Sequence, residues 1–213
     1  AEKQRLVQMG YMWRYNPGVN RILEAARGGW LGKVHAVRGM INTHVGEAER
    51  KQNARYAGGI LFELGCHLID PITRMLGKPK RVTSILQHIG PPADGLADNC
   101  LATLEYEGAI ATVSSSALQP GAHTYRSLEV IGTNGIATLR PIEKPVLTLD
   151  LEKAAGPYSA GKQIVPLEDY RRYAPEFADL AAALREKRPL AITSEEELLV
   201  QQTILLCCGM DPG

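Results

Sequence analysis

The chain has 213 residues, a formal net charge of +1 and 45% hydrophobic residues, enough for one sizeable core. With 6% aromatic residues and no basic run, it argues against a dedicated nucleic-acid surface. No apolar run reaches membrane-spanning length and no secretory leader is read, so no membrane partner and a cytoplasmic location are expected.

Leu6 to Tyr15 reads as a strand. Near its end, Arg14 is a buried ion-pair former or a substrate contact, and Trp13 is a core tryptophan or a sugar-stacking platform. Asn16-Pro17-Gly18 turns the chain, with Asn16 a cap. Val19 to Arg27 is a helix with Ile22, Leu23 and Ala26 inward, stopped by Gly28-Gly29. Lys33 to Val45 is a strand whose end carries His44, a candidate substrate contact. Gly46 to Ala57 is charged and predicts a surface loop, with Tyr56 just before Gly58-Gly59.

Gly58 to Asp70 is the only run that reads as chemistry. On a helix at about 100° per residue, Leu61, Phe62, Leu64, Gly65, Cys66, Leu68, Ile69 and Ile72 fill a wide apolar arc. Glu63, His67 and Asp70 share the narrow opposite arc at i, i+4 and i+7. A carboxylate one turn from an imidazole is a proton-handling pair. The plainer reading is a solvated histidine on a polar face. Three features stand against it. The apolar circumference leaves the polar groups in need of a cavity or partners. Gly58-Gly59 removes side chains where a ligand could approach the backbone. Pro71 cannot donate to the His67 carbonyl, which predicts a bend or an end just past the histidine.

After Gly77 the pattern predicts strands at Arg81 to His88, Cys100 to Tyr106, Ile110 to Ala117, Tyr125 to Gly132, Ile136 to Leu139 and Val146 to Leu151. Glu107-Gly108 and Thr133-Asn134-Gly135 are turn signals between them, which implies an antiparallel meander. Ser114-Ser115-Ser116 reads as a flat sheet face, with no base placed beside it. Gly156 to Gln163 nearly spells a phosphate-binding loop. It ends in Gln instead of Ser or Thr, and Gln163-Ile164-Val165 reads as strand, so both the magnesium ligand and the helix dipole are missing. Glu168 to Lys187 predicts a helix with Tyr173, Phe177, Leu180, Ala181 and Leu184 on its inner face. A second helix follows the acid-rich cap at Thr193 to Glu197. Cys66, Cys100, Cys207 and Cys208 show no metal or redox spacing, so reduced buried thiols and no metal are expected. The fold class is α+β: a large, mainly antiparallel, open-faced sheet with helices on one face.

The Gly58-Gly59, acidic residue, Gly65-x-His67 and x-x-Asp70 series resembles the Gfo/Idh/MocA oxidoreductases. Met9 to Pro17 resembles that family's strand opening the second domain, Gly32-Lys33-Val34 its continuation, and Glu129 to Gly135 its late hairpin. The resemblance runs from about residue 6 to 206. It implies the C-terminal domain of a two-domain dehydrogenase, with a dinucleotide-binding domain first. No Gly-x-Gly-x-x-Gly follows a strand here, so residues 1–213 are read as one substrate-binding, catalytic and oligomerisation domain of a longer protein.

What the resemblance implies is an NAD(P)-dependent oxidoreductase acting on a sugar, cyclitol or related polyol. NAD or NADP would be bound mainly by the other domain, leaving this chain inactive alone. His67 and Glu63 would be catalytic; much of the family has Asp where Glu63 stands. Met12, Trp13 and Tyr56 would contact substrate, beside Arg14 and His44, the candidates read from the residues themselves. The open sheet face would pair subunits into a homodimer or homotetramer. Glu143-Lys144-Pro145 matches the letters of the family's catalytic lysine motif but sits late in the sheet, so Lys144 reads as a surface lysine. The alternative is a non-catalytic assembly or sensing module that kept the fold.

Overall fold

The computed structural model describes residues 6–91 and 93–212. Five α-helices are α1 (Pro17–Arg27), α2 (Glu47–Asn53), α3 (Cys66–Leu76), α4 (Ala174–Glu186) and α5 (Ser194–Cys207). The strands are β1 (Val34–Asn42), β2 (Arg81–Gln87), β3 (Asn99–Tyr106), β4 (Ala109–Ser116), β5 (Ser127–Gly132), β6 (Gly135–Leu139), β7 (Leu147–Leu151) and β8 (Gly161–Val165). They form one sheet in the order β2-β3-β4-β1-β5-β6-β7-β8.

Two hairpin ladders make up most of that sheet. Tyr106 pairs with Ala109 across Glu107-Gly108, and Gly132 pairs with Gly135 across Thr133-Asn134, where the turn chemistry placed them. The meander is not complete. β1 inserts at the centre, parallel to β4 with Ala36 opposite Ile110, and antiparallel to β5. Sequence spacing cannot show this, because the partner of β1 lies beyond α3 and two further strands.

Alternate residues of each central strand face the core. Val37, Ile41, Ala102, Leu104, Ala111, Val113, Leu128, Val130, Ala137 and Leu139 are all buried. The opposite face carries Arg38, Ile85, Leu101, Ile110 and Ile164, all exposed. The helix that bears the histidine is tied to the sheet through Ser115, whose Oγ donates to the Ile60 carbonyl at 3.3 Å.

Several expected elements differ. Leu6 to Tyr15 forms no strand. Tyr11, Met12, Trp13 and Arg14 are all buried in succession, which no half-buried strand allows, and the chain turns there with Arg14 N–H donating to Tyr11 O at 3.1 Å. The polar loop contains α2 instead. Glu47 and Glu49 sit in its first turn and Arg50 and Lys51 in its last, the charge order that suits the helix dipole.

The helix α4 begins later than expected and turns a different face inward. Glu176 and Ala183 are buried, whereas Tyr173, Phe177 and Leu184 are exposed. Polar anchors set that rotation: Tyr15 Oη donates to Asp179 at 2.9 Å and Arg188 Nη2 at 2.8 Å. Asp179 lies three residues from Glu176 and four from Ala183, on the same helical face.

Candidate active site

Gly58 and Gly59 open the helix with φ values of 83° and 50°. A Cβ on Gly58 would lie 2.4 Å from Cys208 Sγ, and one on Gly59 would lie 2.4 Å from Ala97 O. The pair therefore serves close packing and a left-handed turn rather than the approach of a ligand. A π-helical turn, Leu61–Gly65, follows and runs into α3. Pro71 is accommodated inside α3, so the irregularity precedes His67 instead of following it.

His67 lies in the first turn of α3. Its Nδ1 accepts the Met12 N–H at 3.3 Å, and its ring packs against Tyr11 and Trp13 with centroids 6.1 and 6.2 Å away. Burial, with the positive charges of Arg126 and Arg172, pushes the imidazole down to about 4. It is neutral at pH 7. Since Nδ1 accepts a hydrogen bond, the hydrogen-bond pattern assigns the proton to Nε2. Such a ring donates from Nε2 and has no free lone pair there.

Glu63 is exposed in the π turn, and among the described residues no hydrogen bond or ion pair joins it to His67. Partial burial and the neighbouring Glu49 raise its carboxyl. Glu63 lies in the π turn and His67 in α3, so the two do not share one regular α-helical turn.

Asp70 departs in another direction, into the core. It accepts from Arg14 Nε at 3.0 Å and Nη2 at 2.8 Å, and Arg74 lies 3.7 Å away. Arg14 also holds Glu197 through Nη1 at 2.5 Å and Nη2 at 2.7 Å. Burial opposes the charge on Arg14, but hydrogen bonds to Glu197 and Asp70 outweigh it and raise the guanidinium. Of the two roles open to Arg14, the geometry gives it that of an ion-pair former joining the segment before α1 to α3 and α5.

The other expected contacts are spread out. Met12 and Trp13 are buried beside His67, so Trp13 offers no exposed platform for a sugar. Met12 links two regions: its N–H goes to His67, and its carbonyl accepts from Tyr170 Oη at 2.8 Å. His44 is exposed and lines a depression of about 660 Å³ with Glu47, Arg50, Lys51 and Asp94, apart from His67. Tyr56 stacks on Phe62, centroids 5.3 Å apart, on the Glu63 side.

Sequence reading missed a second concavity of about 610 Å³, lined by His123, Thr124, Pro141, Glu143, Lys144, Tyr170 and Arg172. Arg126 is buried at its edge, donating from Nε to Asn42 O at 3.1 Å and from Nη1 to Glu143 at 2.8 Å. Arg172 Nη1 reaches the other Glu143 oxygen at 3.1 Å and lies 3.5 Å from Met12 Sδ. These groups come from three loops far apart in the chain, so no local periodicity connects them. The sequence offers two local signals: His123, before a strand and open to a substrate or a rim role, and Lys144-Pro145, a cation before proline in a tight turn, where Lys144 has φ +56°.

The near match to a phosphate-binding loop does not fold as one. Gly161–Val165 is strand, and the N-termini of α1 and α5 are capped by their own Asn16 and Thr193. Among the described residues, no group of three or more His, Cys, Asp or Glu is placed to hold a metal ion.

A family model described as the GFO/IDH/MocA C-terminal domain matches residues 19–138. The chain belongs to that family. Solved structures agree in fold with this GFO/IDH/MocA domain. An aldose-aldose oxidoreductase from Caulobacter crescentus, complexed with glycerol, has a TM-score of 0.79 at 16% identity, over 97% of this chain and 62% of its own. A UDP-N-acetylglucosamine 3-dehydrogenase from Acidithiobacillus ferrooxidans has 0.77 at 15% identity, over 99% and 63%. An oxidoreductase from Agrobacterium radiobacter, in complex with NAD+, L-tartaric acid and magnesium, has 0.70 at 15%, over 93% and 59%. The domain thus spans less than two-thirds of each of these chains. No curated protein matches it. No helix among the described residues is long and apolar enough to cross a membrane.

Proposed function

We propose that this GFO/IDH/MocA domain binds the substrate of an NAD(P)-dependent oxidoreductase acting on a sugar, a cyclitol or a related polyol, and that His67 contacts the reacting oxygen. The observation that carries the reading is the state of the imidazole. It is neutral and partly buried, held from behind by the Met12 amide, and left with one donor at Nε2. A neutral imidazole donor polarises a carbonyl without having to give up its proton. In the reducing direction Nε2–H stabilises charge gathering on the carbonyl oxygen. In the oxidising direction it holds the alcohol oxygen, while the hydride on carbon would go to the nicotinamide and the hydroxyl proton to a base outside this chain.

The nicotinamide supplies or accepts hydride when bound. In this reading its phosphates are held mainly outside this chain, and the chain alone is inactive. The reading is supported by the glycerol complex of the Caulobacter crescentus aldose-aldose oxidoreductase and the NAD+ complex of the Agrobacterium radiobacter oxidoreductase. A second copy covers the open sheet face, where Ile85, Leu101, Ile110 and Ile164 stand exposed.

The test is turnover with NAD+ and NADP+ across a polyol panel, in the protein that carries this chain. Loss of a single preorganised donor costs about 10²–10³ in kcat. His67→Ala is expected to show that loss, and His67→Gln, which keeps a side-chain N–H, part of the rate. Unchanged kcat in His67→Ala removes the assigned role. The separation of Glu63 from His67 favours a second reading, a non-catalytic assembly module, and nicotinamide-dependent turnover of any polyol excludes it.

A further inference from the structure

The concavity beside Met12 carries more positive charge than its own residues neutralise. Arg172 and Lys144 line it and Arg126 stands at its edge, and among the described residues Glu143 is the only carboxylate ion-paired to any of the three. Arg126 is 4% exposed and spends Nη1 on Glu143 and Nε on the Asn42 carbonyl. A guanidinium held at that depth by two fixed acceptors is built in place, unlike a surface arginine trailing in water. Its neighbour on the same carboxylate, Arg172, has a side chain 46% exposed and open to a ligand. His123 Nδ1 stands 3.6 Å from Glu143 and adds a further donor to the rim. Lys144 enters the group from a left-handed backbone, φ +56°, that a non-glycine residue adopts only at a cost. Such strain is kept where the position of a side chain matters.

We propose that this concavity binds an oxyanion on the substrate, a carboxylate or a phosphate carried by the sugar or polyol, with Arg172 and Lys144 as its direct contacts and Arg126 beneath them. The inference rests on the polyol reading above and names the class of substrate. Position supports it. Tyr170 and Arg172 of this concavity both touch Met12, whose amide holds His67, so an anion seated here places the rest of a sugar-sized molecule toward the imidazole. Charge supports it too. Arg126 and Arg172 both act on His67 to disfavour its protonated form, and a bound oxyanion offsets that field.

The experiment uses three probes on the protein that carries this chain: glucose, glucuronate and glucose 6-phosphate, by calorimetry at low and high salt. At least one anion is expected to bind tenfold or more tighter than glucose at low salt, with the advantage shrinking at high salt. Which anion wins separates a carboxylate site from a phosphate site. Arg172→Ala and Lys144→Asn are each expected to cut that advantage severalfold; asparagine tolerates the left-handed backbone. Circular dichroism checks that the variants fold. In the wild type, the winning anion is expected to move the NMR titration of His67 to higher pH. Equal affinity for all three probes, no binding of either anion, or an advantage that survives both substitutions overturns the proposal. Nicotinamide-dependent turnover is followed separately. Turnover of neutral polyols with no anion preference sinks this inference alone, whereas anion binding without any turnover sinks the oxidoreductase reading alone.

Discussion

Arg14→Met is the sharpest test of what holds the site in place. Arg14 is 3% exposed, Asp70 is 1% exposed, and Glu197 closes the group at 9%. Removing the guanidinium leaves two carboxylates in the core with only Arg74, 3.7 Å from Asp70, nearby. Breaking a buried ion pair from one side costs about 3–5 kcal/mol. Small domains have only about 5–15 kcal/mol in total. In urea, at about 2 kcal/mol per molar, the midpoint is expected to fall by roughly 1.5–2.5 M.

Burial raises the Asp70 carboxyl, against the pull of Arg14 and Arg74. A carboxylate whose folded pKa is raised stabilises the fold below its unfolded value and loses that stabilisation as pH climbs through the folded one. Without Arg14 the rise is larger, so the deficit of the variant is expected to shrink toward pH 4 and grow toward pH 7. Arg14→Met combined with Asp70→Asn and Glu197→Gln removes the stranded charges and is expected to recover part of the loss. A deficit below about 1 kcal/mol, the value of an exposed pair, refutes the reasoning. So does a triple variant no more stable than the single one.

Three further outcomes follow from the geometry. The folded His67 value lies near 4, below the ordinary 6.5, so its contribution is complete above pH 6.5 and is lost as pH falls toward 4. Melting temperatures from pH 7 to 4 are expected to fall further in the wild type than in His67→Gln, and parallel curves would contradict the assignment. Gly59→Ala forces a φ of 50° on alanine and meets Ala97 O at 2.4 Å; a loss above about 1 kcal/mol is expected from chemical denaturation, and a neutral result would be inconsistent with the packing. All four thiols are buried and free, and Cys207 and Cys208 are both pushed up to about 12 by burial. A thiol reagent at pH 8 is therefore expected to label the native protein slowly and all four cysteines once it is unfolded, as counted by mass spectrometry.

Legibility differed between the sheet and the site. The hairpins at Glu107-Gly108 and Thr133-Asn134 could be read because turn chemistry and alternation are local. The place of β1 could not, since it is fixed by a partner more than sixty residues away. Charge misled twice, in opposite senses. The acids and bases of Glu47 to Lys51 suggested a loop but are ordered as a helix. The apolar set of Tyr173, Phe177 and Leu184 suggested an inner face, yet Asp179 and its hydrogen bonds turned α4 the other way. In the motif, the apolar circumference signalled that His67 needs partners, and its ring meets Met12, Tyr11 and Trp13. The arc argument assumes an α-helix throughout, and one π turn at Glu63 departs from that geometry. Arg126, Glu143 and Arg172 are joined only by folding, and no spacing rule reaches them.

The central strand β1 bears on more than topology. Loss of an edge strand would leave the rest of the ladder whole. Withdrawal of β1 would leave separate ribbons of three and four strands, each with raw amides and carbonyls along its inner margin. The last residue of that strand, Asn42, also offers the carbonyl that anchors Arg126. A fault in this one seam would therefore pull the floor from under the cationic basin at the same moment as it split the sheet.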